Sequence, residues 1–347
     1  MNFKPFLSAS IIGSVPYRAA VEAVDFVVAH FDTIPCWPQL PRKSYYENMY
    51  VQFAERLPGI VIEEDKKRIF VNTNDRFEEQ LEIFYSKYLA GDIEYFLVSE
   101  TYAAGLYEFK KRLLTSALST PYVKGQLVGP VSFALTVTDE KRQALYYNEQ
   151  ALDAVIKLLS LKAKWQIRFL RGLSKEIIMF LDEPYLASVG SAYIAIEKNK
   201  LISNLNEVID SIHQEGALAG IHCCGNTDWS IITSTRVDIV SFDSYNYADT
   251  LLLYPEDLRV FIERGGVLAW GIVPTDENVL RESKDSLSKN IQNYFTRCAQ
   301  KGISMDLITN QSMITPSCGT GTLQKELSER ILLLACELSH FLQRNYR

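Results

Sequence analysis

Apolar positions along the chain follow two periods. Short aliphatic or β-branched runs closed by Gly, Pro or Asp read as strands. Longer stretches with apolar residues three and four apart read as helices. Residues 6–12 form the first apolar run, which ends in Gly13-Ser14-Val15-Pro16. Over 17–31, Ala20, Val21, Val24, Val27 and Val28 share one helical face. A short strand is expected at 32–36, then a helix at 45–56, a hairpin over 59–71, and helices at 76–89 and 102–116. From 123 the alternation is regular. Strands at 123–128, 177–181, 216–222, 237–242, 267–271 and 304–308 alternate with helices at 148–170, 200–214, 255–264, 285–301 and 324–343.

Eight strand candidates, each followed by helical sequence, predict an α/β fold. The expectation is a single (β/α)8 TIM barrel over residues 1–347, with the hairpin and its helices inserted between strands 2 and 3. No GxGxxG loop follows the first strand, which argues against a dinucleotide-binding sheet.

Composition adds little to this and removes some classes. The chain is 47% hydrophobic and 22% charged, with a net charge of −6 and acidic and basic residues interspersed. Without a basic tract, nucleic acid is not an expected partner, and no apolar run is long enough to span a membrane. The start, Met1-Asn2-Phe3-Lys4-Pro5, lacks the apolar core of a signal peptide. The six cysteines form no dense framework. A reducing cytoplasm is the expected location, with metal binding or catalysis favoured over disulfides.

The candidate chemistry centres on Ile221-His222-Cys223-Cys224-Gly225, which follows the small apolar run Gly216-Ala217-Leu218-Ala219-Gly220. Alternation along a strand sends His222 and Cys224 to one face and Cys223 to the other. An imidazole and a thiolate side by side are two of the ligands a zinc ion needs. Cys318 is a third candidate and Asp243 a fourth. Ser14, Asp182, His222 and Asp243 fall at predicted strand ends, and Cys318 in the loop after the last strand. That is the face on which barrel active sites sit. Each residue also has a plainer reading. A buried Cys pair packs as core, Asp182 suits a cap, Ser14 a turn, and Asp243 a solvated loop. His30, His213 and His340 lie in predicted helices, so the site has no free histidine to act as base for a hydrolase.

In order along the chain, Ile12-Gly13-Ser14-Val15-Pro16, Gly129-Pro130-Val131-Ser132, Leu181-Asp182-Glu183-Pro184, His222-Cys223-Cys224, Val240-Ser241-Phe242-Asp243-Ser244 and Pro316-Ser317-Cys318-Gly319 form a specific set. The chain resembles the catalytic C-terminal domain of cobalamin-independent methionine synthase, within the uroporphyrinogen decarboxylase and methionine synthase-like superfamily. The resemblance implies a zinc ion held by His222, Cys224, Cys318 and an acidic ligand, here Asp243 where the family has glutamate. It implies that Gly13, Ser14 and Asp182 hold the amino acid part of homocysteine. A further amine-binding glutamate would fall near Lys43 to Glu47.

The departures bear on the methyl donor. The family's second, N-terminal barrel has no counterpart expected within 347 residues. Its folate-stacking tryptophan is missing from Phe133-Ala134-Leu135-Thr136-Val137, and its histidine after strand seven from Trp270-Gly271-Ile272-Val273-Pro274-Thr275. Methyl-folate needs its leaving amine protonated, whereas a methyl-corrinoid does not. The expectation is a short, "core" methionine synthase that methylates homocysteine from methylcobalamin or a corrinoid carrier protein. The rival readings are a corrinoid:thiol methyltransferase acting on a thiol such as coenzyme M, and a uroporphyrinogen decarboxylase-like protein.

Overall fold

Two short strands, β1 (Ile60–Glu63) and β2 (Arg68–Val71), form the expected hairpin, paired antiparallel from Ile60–Val71 to Glu63–Arg68. A long strand, β3 (Thr120–Val128), opens the main sheet, and β4 (Thr138–Asp139) returns to pair in parallel with β2. The computed structural model describes residues 3–74, 76–116, 120–189 and 196–346. Within them the main sheet is parallel and continues through β5 (Ser174–Asp182), β6 (Leu218–Cys223), β7 (Ile239–Phe242), β8 (Val267–Val273) and β9 (Ser312–Pro316). Its order is β3-β5-β6-β7-β8-β9, and β1, β2 and β4 form a separate small sheet.

The main ladder therefore has six strands among the described residues, where eight were expected. The two N-terminal runs are present as extended segments that make single parallel bridges. Ala9 pairs with Ile314 of β9, Cys36 with Lys124 of β3, and Ser14 with Gln39. The backbone explains why they go no further. Phe6 and Leu7 take φ of 44° and 63°, outside the extended region. Pro35 and Pro38 have no amide to donate to a ladder. The hairpin and the helices Phe77–Leu89 and Ala104–Thr115 lie between the second of these segments and β3, where the insertion was expected.

Two local expectations are corrected. Residues 304–308 are not a strand. The Ser304 side chain accepts from Leu307 N (3.1 Å) and caps the helix Met305–Asn310, and the strand begins at Ser312. The helix expected at 45–56 is two 3-10 turns, Tyr45–Glu47 and Val51–Phe53. No helix among the described residues is long and apolar enough to cross a membrane.

Strand ends on the C-terminal side are level, and this positions the site. Val128 pairs with Asp182, Asp182 with His222, and His222 with Ser241. Behind the sheet, the helix Glu149–Leu170 buries most of its length, including Lys162. The Lys162 amine donates to the carbonyl of Leu97 (2.9 Å), just past the 3-10 turn Ile93–Phe96.

Burial pushes the Lys162 amine down from 10.5 to about 7, so folding favours its neutral form. A depressed folded value means stability is greatest above the unfolded value and declines as pH falls toward the folded one. Lys162→Met should therefore gain on the wild type, by on the order of 2 kcal/mol, between about pH 9.5 and pH 7. Urea unfolding at the two pH values measures this difference, and a difference independent of pH would contradict it.

Candidate metal centre

β6 is buried along its whole length and paired on both sides, so its alternation is strict. Ala219, Ile221 and Cys223 point into the main core with Trp229. Gly220 and His222 point the opposite way. A side chain at Gly220 would meet the Phe180 ring at 2.3 Å, so the close approach of that ring requires glycine. Cys224 follows the strand directly, and Cys318 comes over from the loop after β9. One ligand atom from each of His222, Cys224 and Cys318 lies within 4.8 Å of the others.

The Cys318 loop is fastened to the N-terminal segment. Ser14 accepts from Thr320 N through its carbonyl (2.9 Å) and from Gly321 N through its hydroxyl (3.3 Å). A Cβ on Gly319 would fall 2.2 Å from Ser14 Oγ, so a side chain there would displace the Ser14 hydroxyl. Ser14 thus sits beside Cys318, and Gly13 packs against Gln39 and Gln126.

His222 is oriented by a residue that sequence reasoning passed over. Its Nδ1 lies 3.0 Å from Ser241 Oγ, its register partner on β7. Its Nε2 is buried without a hydrogen-bond partner. A nitrogen held in this way, one face fixed and the other bare, is the usual state of a metal-ligating imidazole. The sulfurs are distinctive too. The neighbouring Cys318 and His222 hold Cys224 well below the ordinary thiol range. The nearby Cys224 and burial push Cys318 upward. Burial raises Cys36 to about 11 and Cys223, Cys298 and Cys336 to about 12, so these remain neutral thiols in the core. Thiolate character is therefore confined to the cluster. One imidazole and two sulfurs form a soft donor set that suits zinc.

Asp243 stands outside the three-residue cluster. Its carboxylate caps the helix Ser244–Leu251. Oδ1 accepts from Asn246 N (3.0 Å) and Oδ2 from Asn246 Nδ2 (2.7 Å), which occupies both oxygens. Asp182 differs. It is buried at the strand end beside His222, and its Oδ1 has no partner. Burial raises it to about 6, against the pull of His222 and Lys124.

The neighbouring Glu183 has a structural task. Its carboxylate accepts from Val131 N (2.9 Å), Ser132 N (2.8 Å) and Ser132 Oγ (2.6 Å), closing the N-terminus of the helix Pro130–Thr136. A Cβ on Gly129 would fall 2.1 Å from this carboxylate, which accounts for the Gly-Pro start of that helix. The signal was present in the sequence: a glycine at the N-cap offers no side chain, so the bare amides need an acceptor from elsewhere. Glu47 likewise ties loops together. It is buried and accepts from Leu40 N (2.9 Å) and Ala104 N (3.2 Å).

No family model matches the chain, and its sequence matches no curated protein. Solved structures match it in fold. A B12-independent methionine synthase from Shewanella sp. W3-18-1, in complex with selenomethionine, superposes with a TM-score of 0.57 at 12% identity over 98% of both chains. A putative vitamin-B12 independent methionine synthase from Listeria monocytogenes gives a TM-score of 0.50 at 13% identity, over 93% of this chain and 85% of that one. The likeness is one of fold, and it supports the barrel-like curl of the parallel sheet.

Elemental analysis should find zinc near one per chain in the wild type and in Cys223→Ser, and little in Cys318→Ala. Ser241→Ala, which frees the His222 ring, should weaken zinc binding by about 10–100-fold. Full zinc occupancy in a Cys224→Ala, Cys318→Ala double variant would refute the assignment.

Proposed function

We propose that this protein is a zinc-dependent methyltransferase that converts homocysteine to methionine, with a methylated corrinoid as donor. The observation that carries the proposal is the meeting of His222, Cys224 and Cys318 at the strand ends, with His222 Nε2 bare and the open Asp182 carboxylate alongside. The fold shared with the Shewanella and Listeria proteins, described as a B12-independent and a putative vitamin-B12 independent methionine synthase, supports the methyl-transfer part of this reading and not the choice of donor.

A zinc ion on these ligands would supply a Lewis acid that holds an incoming thiol as its thiolate at neutral pH. The chain's own residues do the rest. Ser241 keeps the His222 ring turned, and the Ser14 segment holds the Cys318 loop in place. Asp182, level with His222 on the next strand and itself buried, takes the ammonium of the amino acid, worth about 1.5–3 kcal/mol for a charged hydrogen bond. Gly13 and Ser14 offer backbone and hydroxyl to the same moiety. Asp243 remains in this reading a neighbour of the metal that caps its helix through Asn246.

The preference for a corrinoid rests on what the site offers a leaving group. His222 is the sole histidine at the strand ends, and in this reading it is spent as a ligand. Glu183 is fully engaged by three donors. Departure of a folate amine requires a proton, and departure of a reduced cobalt does not. The position after Ser132 is Phe133, buried in the core, where the resemblance would place a stacking tryptophan. A small carrier protein is the proposed source of the corrinoid, and the cytoplasm the proposed setting.

A methyl-transfer assay with homocysteine tests this directly. Methylcobalamin, free or protein-bound, should support turnover, and methyl-tetrahydrofolate should not. In the same assay Asp182→Asn should raise the KM for homocysteine by about tenfold or more, with zinc content unchanged. Efficient turnover with methyl-tetrahydrofolate alone would overturn the donor. Equal activity toward thiols without an amino group would overturn the acceptor.

A further inference from the structure

Lys124, midway along β3, is fully buried, although its register partner Ile178 and the neighbouring Phe180 belong to an apolar cluster. Such surroundings disfavour an amine unless its donors are used. Lys124 Nζ donates to the carbonyl of Ile12 (2.5 Å) and to Cys36 Sγ (3.5 Å), and it lies 4.4 Å from the centre of the Phe180 ring. No carboxylate pairs with it among the described residues.

The carbonyl it holds belongs to the Ile12-Gly13 peptide, which has no strand partner to orient it. The bridges of this segment are at Ala9 and Ser14. Backbone pairing starts one residue later, where Gly13 O accepts from Gln39 N (3.1 Å) and Gln39 O from Val15 N (3.0 Å). A trans peptide points its N–H opposite to its C=O. With the Ile12 carbonyl fixed on Lys124, the Gly13 N–H must face the other way. Gly13 is buried, and neither its N–H nor that of Ser14 meets an acceptor among the described residues. Amides left open inside a protein are rare, and they ask for an acceptor from outside the chain.

These amides adjoin the metal centre, because Ser14 holds the Cys318 loop through Thr320 and Gly321. We infer that Lys124 is a positioning residue for the thiol acceptor: by fixing the Ile12-Gly13 peptide it keeps the Gly13 amide turned toward the carboxylate of the bound amino acid. Lys124 acts through the backbone it orients and touches no reacting atom. The inference rests on the homocysteine reading above.

Lys124→Met keeps the length of the side chain and removes the donor. Calorimetric titration of the zinc-loaded proteins compares homocysteine with 3-aminopropanethiol, which lacks only the carboxylate. The variant should bind homocysteine about tenfold more weakly or worse than the wild type does. It should bind 3-aminopropanethiol equally well, with the same zinc content. In turnover the KM for homocysteine should rise while kcat stays within about twofold. Equal binding of homocysteine by the two proteins, or an equal loss for both thiols, overturns the inference, the second by showing a general structural role. Should the variant fail to fold, the wild type decides. Ile12-Gly13 is the one Ile-Gly pair in the sequence, so carbonyl-labelled isoleucine with amide-labelled glycine gives a single resonance by NMR. Homocysteine should move that resonance and 3-aminopropanethiol should not, and a resonance unmoved by homocysteine overturns the inference. If homocysteine affinity is lost in the variant but neither protein transfers a methyl group, the role of Lys124 stands and the reaction falls. If the wild type binds neither thiol, the homocysteine reading falls and the inference with it.

Discussion

The parallel register of β5, β6 and β7 is the constraint on which the site depends. It sets Asp182, His222 and Ser241 side by side at one height. A parallel ladder with both faces covered cannot slip by one residue without exchanging its inward and outward side chains. Such a slip would bury His222 against the helices and send Cys223 inward. The glycine at 220 belongs to the same constraint, because only the missing side chain lets Phe180 pack across β6. The metal centre is thus a consequence of sheet packing, completed by one loop. That loop, carrying Cys318, is held through Ser14 to a segment about three hundred residues away in sequence.

Burial does different work on like residues around this sheet. Four cysteines are buried among apolar groups and remain thiols. Cys224 sits at a strand end where a thiol and an imidazole both favour its charge. Glu183 and Asp182 are adjacent in sequence and both buried, yet one is saturated by three donors and the other keeps a bare oxygen. An unpaired buried carboxylate oxygen carries a desolvation cost that a cationic ligand would relieve. The same contrast separates Asp243, with both oxygens bound to Asn246, from Asp182.

Much of this arrangement is legible from residue order. Strand alternation alone puts His222 and Cys224 on one side and Cys223 on the other, and eight apolar runs foretell a barrel-like sheet. What escapes sequence reading depends on partners distant in the chain. The roles of Ser241 and Glu183 become visible only when strands from separate parts of the chain lie in register. Asp243 reads in sequence as a ligand or a solvated loop carboxylate, and its part as a helix cap shows only once the helix Ser244–Leu251 is seen to follow the strand directly. The last strand was misplaced because Ser304 and Asp306 make a good helix start, while the β-branched stretch lies slightly further on at Ser312–Pro316. Prolines and left-handed residues cut the two N-terminal strands down to single bridges, although their apolar pattern is sound.

The central claim is that His222, Cys224 and Cys318 hold a zinc ion with room for the sulfur of an incoming thiol. X-ray absorption at the zinc edge of the purified protein tests it most directly. The account predicts two sulfur neighbours at about 2.3 Å and one nitrogen at about 2.0 Å, with a third sulfur appearing when homocysteine is added. A shell without sulfur, or one that homocysteine leaves unchanged, would contradict it.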